Sequence, residues 1–133
     1  MLEGMSAWAD EWTAPKTEEH MQQILTIEFG GIAETLYHLA AATNNDRWAK
    51  VGDRFQKKSF LNPLASRRDE LRGLHVNTHI PQVLAAARRY EISGDTRFHD
   101  VAGYFFYEVS TARSYVTAGT SNAEAWLAPI LFT

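Results

Sequence analysis

The sequence predicts an all-α fold of antiparallel helical hairpins that form part of a solenoid or toroid. Three observations predict it. Apolar residues recur at helical spacing between the prolines Pro15, Pro63, Pro81 and Pro129, which mark segment edges. No segment alternates strongly enough between apolar and polar residues to read as a sheet. One pattern also returns at an offset of 50 residues: Asp46-Arg47-Trp48 with Val51 and Phe55 matches Thr96-Arg97-Phe98 with Val101 and Phe105. The preceding turns, Thr43-Asn44-Asn45 and Ser93-Gly94-Asp95, match as well. Such a period signals stacked units, because a single helical hairpin cannot cover its own apolar face. The competing reading is a chance match within one helix bundle, which five matched positions across two helices make less attractive.

In chain order, a first short helix is expected over Leu2–Trp12, with Trp8 and Trp12 four apart. Thr17-Glu18-Glu19 reads as an N-cap followed by acidic first-turn residues, opening a second helix through Ile27. Glu28-Phe29-Gly30-Gly31 interrupts it. A third helix runs Ile32–Ala42 on a stripe of Leu36, Leu39 and Ala40, and Asn44-Asn45-Asp46 makes a tight turn. The fourth, Asp46–Lys58, buries Trp48, Val51 and Phe55; an irregular stretch follows from Ser59 to Leu74. The fifth runs from about Asn77 to Ile92 with Pro81 in its first turn, where proline is tolerated. The sixth, Thr96–Arg113, is apolar on nearly all sides, which predicts burial all round. The tail, Ser114–Thr133, has short β-like runs without a clear period.

With 133 residues, the chain suits one domain and can bury about two-thirds of its unfolded surface. Its net charge of −3 argues against non-specific nucleic-acid binding, which needs a dense positive surface. No apolar run approaches the roughly 20 residues that cross a bilayer, and Met1–Asp10 does not read as a signal peptide. The sequence has no cysteine, which excludes disulfides, thiolate nucleophiles and Cys-ligated zinc and fits a cytoplasmic protein.

Two clusters carry candidate chemistry. Gly73-Leu74-His75-Val76-Asn77-Thr78-His79-Ile80-Pro81 gathers imidazole, amide and hydroxyl groups at a loop-to-helix junction, which suits recognition of a hydroxyl-rich ligand. The other reading is an Asn or Thr N-cap with nearby histidines bonded to backbone. His75 and His79 have the spacing of a zinc pair, but Val76 stands where a metalloprotease has Glu and no third ligand is obvious. Glu28-Phe29-Gly30-Gly31, with Glu34 beyond, is the second cluster. Glu28 and Glu34 read either as paired carboxylates of the glycosidase type or as a turn and a solvated helix face. Arg67-Arg68-Asp69-Glu70 and Arg88-Arg89 read as solvated charge faces with local ion pairs. Tyr115 and Thr120-Ser121-Asn122 lie in the tail, where they would line a pocket. No phosphate loop, dinucleotide fingerprint or nucleophile elbow is present.

Together these motifs resemble the β-L-arabinofuranosidase-like glycoside hydrolases. Glu28-Phe29-Gly30-Gly31-Ile32-Ala33-Glu34 is similar to the family's EFGGMNE stretch. Asn62-Pro63-Leu64-Ala65 with Arg68-Asp69-Glu70-Leu71 is similar to DPLA…RDEL, and Gly73–Pro81 to GLHANTQIPK. Ser114-Tyr115-Val116-Thr117-Ala118-Gly119-Thr120-Ser121 is similar to TYVIGGNS. The chain departs from the pattern at His79 (Gln in the family), Ala118 (Gly) and Ala125 (His).

The resemblance implies an (α/α)6 barrel, of which residues 1–133 would be a single partial domain. Six hairpins of about 50 residues need roughly 300 residues. It also implies a retaining glycosidase with a cysteine nucleophile, a glutamate acid/base and a zinc held largely by cysteines. Those residues lie beyond the matched region, so no catalytic residue, cofactor or metal is expected here. Carried over position by position, Glu28, Glu34, His75, Asn77 and Tyr115 would face the barrel cavity. The expected function is that of a fragment or shortened relative without hydrolysis on its own, keeping a surface for an L-arabinose-like sugar. The alternative is a helical self-association module, most simply a homodimer, using the apolar sixth helix and the Ile130-Leu131-Phe132 end. A reworked enzyme site built from Glu28, Glu34 and His75 is the third reading. Nucleic acid and membrane are not expected partners.

Overall fold

The computed structural model describes residues 2–27, 29–117 and 119–129. Among them the chain forms seven helices: α1 (Leu2–Thr13), α2 (Glu18–Ile24), α3 (Ile32–Thr43), α4 (Asp46–Asp53), α5 (Lys58–Ala65), α6 (Val76–Ser93) and α7 (Thr96–Ala112). The described residues contain no strand, only isolated bridges from Ala125 to His75 and to Asn122. No described helix is long and apolar enough to cross a membrane.

The frame is two hairpins side by side. α3 packs along α4, α6 packs along α7, and α3 packs against α6. The two-residue turns that join each pair force antiparallel neighbours. Both turns use the same local devices. The first turn residue takes the left-handed conformation, Asn44 at φ 48° and Gly94 at φ 69°, as a helix C-cap demands. The second is an N-cap whose side chain accepts a backbone N–H two residues on: Asn45 from Arg47, Asp95 from Arg97. Each hairpin's first helix closes with a hydroxyl, of Thr43 or Ser93, donating to the carbonyl four residues back. In each second helix an arginine lies over the next ring, Arg47 over Trp48 at 4.9 Å and Arg97 over Phe98 at 5.5 Å.

Two apolar cores fill the frame. One joins Leu36, Tyr37 and Ala40 of α3 to Trp48 and Val51 of α4, with Ala9 of α1 against them. The other joins Phe60, Leu61 and Leu64 of α5 to Val83 of α6, to Phe98, Val101 and Phe105 of α7, and to Trp126 of the tail. α6 belongs to both, since Ala85 faces the first and Ala86 the second. α3 and α4 approach closely at Gly52, where an added Cβ would lie 2.6 Å from the Tyr37 ring.

The structure corrects several sequence expectations. α2 ends at Ile24, not Ile27. The fourth helix stops at Asp53, and the stretch expected to be irregular holds α5. Pro63 is the sixth residue of α5, so its missing N–H falls opposite the carbonyl of Ser59, an exposed residue open to water. Pro81 is likewise the sixth residue of α6, opposite exposed Asn77, and not in the first turn. α7 is not buried on all sides: Phe98, Val101 and Phe105 are covered, while Phe106 and Tyr107 are 73% and 60% exposed. Nor are all the charge runs solvated. Arg113, buried at the end of α7, binds Asp69 and reaches Glu108 at 3.4 Å and the Leu127 carbonyl at 3.3 Å. Arg89 grips Asp53 through two nitrogens at 2.9 and 3.0 Å. Ile130–Phe132 and Glu28 lie outside the described residues.

Candidate functional site

The start of α6 holds one of the two polar clusters that the sequence singled out, with His75, Asn77, Thr78 and His79. His75 is the N-cap, and its Nδ1 accepts the Thr78 backbone N–H at 3.4 Å. That bond puts the ring proton on Nε2, which faces Glu124 Oε2 at 3.3 Å. Glu124 arrives from the tail, 49 residues away in sequence. Backbone bonds hold it there. Val76 N–H donates to the Glu124 carbonyl at 2.8 Å, Gly73 N–H to the Trp126 carbonyl at 2.8 Å, and Trp126 N–H to the Leu74 carbonyl at 3.1 Å. Ala123 and Glu124 both sit in the left-handed region, at φ 47° and 65°. For non-glycine residues that costs about 1–2 kcal/mol each and persists where the surroundings impose it, often at functional positions.

Behind this pair lies His79, buried by contrast. Its Nδ1–H donates to the His75 carbonyl at 2.7 Å, so Nε2 is left to accept from Lys57 Nζ at 3.3 Å. Phe29 and Phe60 flank the ring at 4.7 Å and Trp126 stands at 6.3 Å. Burial pushes the His79 imidazole below its ordinary value, and the Lys57 ammonium adds to that; the bond to His75 opposes it. Burial also lowers the Lys57 amine.

Of the expected site residues, His75 and Asn77 share this junction, Asn77 being exposed on the first turn of α6. Tyr115 is exposed on the tail that carries Glu124, beside a small cleft lined by Arg113, Thr120, Asn122 and Leu127. Glu34 lies on the first turn of α3, its carboxylate 3.6 Å from His38 one turn on. Among the described residues no three or more His, Asp or Glu side chains converge as a metal site would require.

Sequence reasoning passed over three contributors. Glu124 stands beside Ala125, one of the departures from the family pattern, and nothing in its local spacing says that it meets His75. Gln82 is buried in α6 and joins three segments: Nε2 donates to the carbonyls of Gly30 (3.1 Å) and Phe55 (3.2 Å), and Oε1 accepts the Lys57 N–H at 3.0 Å. Gln22 works from the other side, donating to the Gln56 carbonyl and accepting the Lys58 N–H, both at 2.9 Å. A buried glutamine in an apolar stripe is the one signal that could have marked the first of these, since a buried amide needs partners.

The family model described as beta-L-arabinofuranosidase, GH127 catalytic domain, matches residues 1–132. Among curated proteins, none matches the chain. The all-helical hairpins fit the (α/α)6 barrel of that catalytic domain, and the match runs through both polar clusters and the tail that brings Glu124 to His75. The chain therefore belongs to the beta-L-arabinofuranosidase GH127 catalytic-domain family, its hairpins forming part of an (α/α)6 toroid.

Proposed function

We propose that the chain carries a carbohydrate-facing wall of a GH127-type barrel and does not by itself hydrolyse a glycoside. The observation that supports this most is the junction of His75 with Glu124. An imidazole N–H and a carboxylate 3.3 Å apart, both partly open to solvent, offer a donor and acceptors of the kind that read sugar hydroxyls. Asn77 and Thr78 add an amide and a hydroxyl beside them. Tyr115 joins the wall by resemblance, as a ring for the apolar face of a sugar. Glu28 and Glu34 belong to the wall by resemblance, and L-arabinose or a close relative is the ligand that fits the family.

The test is a titration of the whole chain with L-arabinose while the histidine ring signals are followed by NMR. Saturable shifts at His75, abolished in Glu124→Gln and unmatched at His20 or His99, are expected. Unmoved signals at high sugar concentration would mean that these motifs serve the fold alone.

A second reading is self-association. It is favoured by an apolar groove of about 660 Å³ between α1 and α3, lined by Leu2, Met5, Trp8 and Ile32 among others. Repetition of the hairpin unit fits this reading too, because a repeat leaves its terminal faces uncovered.

A further inference from the structure

We infer that copies of this chain join head to tail, the groove between α1 and α3 of one copy taking the outer face of α6 and α7 of the next. This rests on the self-association reading and adds to it the two faces that meet. Inside the chain the same contact is made once already. Two like units follow each other, α1 with α3 and α4, then α5 with α6 and α7, and α3 packs against α6 where they meet. Even the brace within each unit repeats. Arg47 reaches Asp10 of α1 at 2.8 Å, and Arg97 reaches Asn62 of α5 at 2.6 Å.

The inner contact has two halves. The second unit receives the first on Gln82 and Ala85 of α6. Gln82 donates to the carbonyls of Gly30 and Phe55, and Ala85 packs into the core of α3 and α4. The first unit presents Tyr37 and Asp53. Both face Arg89 of α6, the Tyr37 ring at 5.7 Å and the Asp53 carboxylate at 2.9 Å. At the repeat's offset of 50 residues, each half has a counterpart on an open face. Ile32 and Thr35 hold on α3 the places of Gln82 and Ala85 on α6, and both line the groove beside α1. Ala87 and Gly103 hold the places of Tyr37 and Asp53. A Cβ added at Gly103 would meet nothing within 4 Å.

Both open faces are apolar. The groove, of about 660 Å³, has Leu2, Met5 and Trp8 on its α1 side. α1 buries only small residues, Ser6, Ala9 and Thr13, and turns its large ones outward. On the other face Leu84 lies three residues before Ala87, and Phe106 and Tyr107 lie three and four after Gly103, so helical spacing puts them together. All three are half or more exposed. Joining the two faces removes both from water, which drives association. A pairing through α1 alone would cover the groove and leave the α6–α7 face open. The contact is therefore heterologous, made by unlike faces.

The experiment damages one face at a time in the whole chain. Trp8→Glu puts a carboxylate on the groove and Phe106→Glu puts one on the α7 face, both at largely exposed side chains. Circular dichroism checks that each variant folds; Met5→Glu or Leu84→Glu, on the same faces, replaces one that does not. Light scattering is then run on the parent, on each variant and on their equimolar mixture. The parent should associate, and each variant alone should do so at least tenfold more weakly. The mixture should recover the parent's affinity in a one-to-one pair. There Phe106→Glu offers its intact groove and Trp8→Glu its intact α7 face. If Phe106→Glu alone associates as the parent does while Trp8→Glu is monomeric, self-association holds and the head-to-tail contact is overturned. A mixture as weak as either variant overturns it too. A monomeric parent overturns both.

Discussion

At the scale of single residues, the tightest constraint is the contact of Gly52 with Tyr37. Tyr37 is fully buried, yet its hydroxyl donates to Asp53 at 2.9 Å and accepts from Gln56 at 3.0 Å. Burial and the Asp53 carboxylate push its phenol well above the ordinary value, so it stays a neutral donor. The ring is thus fixed at both ends and cannot retreat from a side chain at position 52. Gly52→Ala is expected to destabilise the fold by about 1–3 kcal/mol, as overpacking of a close core does, read as a lower urea midpoint at unchanged slope. Little of this was legible in the sequence. Val51-Gly52-Asp53 looks like an ordinary helical stretch, because only the partner helix shows that there is no room for a Cβ. His75 and Asn77 could be read as candidates since loop-to-helix junctions have a local signature. Glu124 could not, because its meeting with His75 depends on how the tail docks.

At the scale of elements, α1 is held to α4 by charge as much as by packing. Asp10 accepts from Arg47 Nε at 2.8 Å and from Arg54 Nη1 at 2.6 Å, and Arg54 also reaches the Thr13 hydroxyl at 2.8 Å. The bond from Arg47, then the contacts of Arg54, hold the Asp10 carboxyl below its ordinary 3.8 although burial acts the other way. A lowered folded value means that the unfolded chain takes up the proton first. The contribution is therefore complete above about pH 4 and fades as pH falls through the folded value. Asp10→Asn should accordingly be less stable than the parent at pH 7, with the difference shrinking below about pH 4, in urea melts run at a series of pH values. A constant difference down to pH 2 would refute this role. Elements were the most legible scale. α3, α6 and α7 carry local caps, and these three and α1 were placed within a residue or two. α5 was hidden because an internal proline reads as a break, whereas here the lost bond falls at an exposed residue, Ser59.

At the scale of the whole molecule, apolar surface is left open on the flank formed by α1 and α3. Met5 and Trp8 are about two-thirds exposed, and Trp8 stacks on Trp12 at 6.2 Å in the open. The outer face of α7 adds Phe106 and Tyr107. Patches of this kind commonly mark association sites. If the self-association reading holds, light scattering should give twice the chain mass, and Trp8→Glu should shift the population to monomer. A monodisperse monomer for the parent chain would count heavily against it. The fold class was legible here because helix periodicity and two-residue turns are local. The partition into two cores joined by α6 was not, since it depends on which faces meet.

The paired glutamines have one more consequence. The link between α4 and α5 and the first residue of α5 are fixed by Gln22 from one side and Gln82 from the other, side chains 60 positions apart in sequence. Neither partner alone fills both sets of bonds. This linker is therefore expected to order only once distant parts of the chain have met, so substitutions at Gln22 or Gln82 should speed unfolding more than they slow folding.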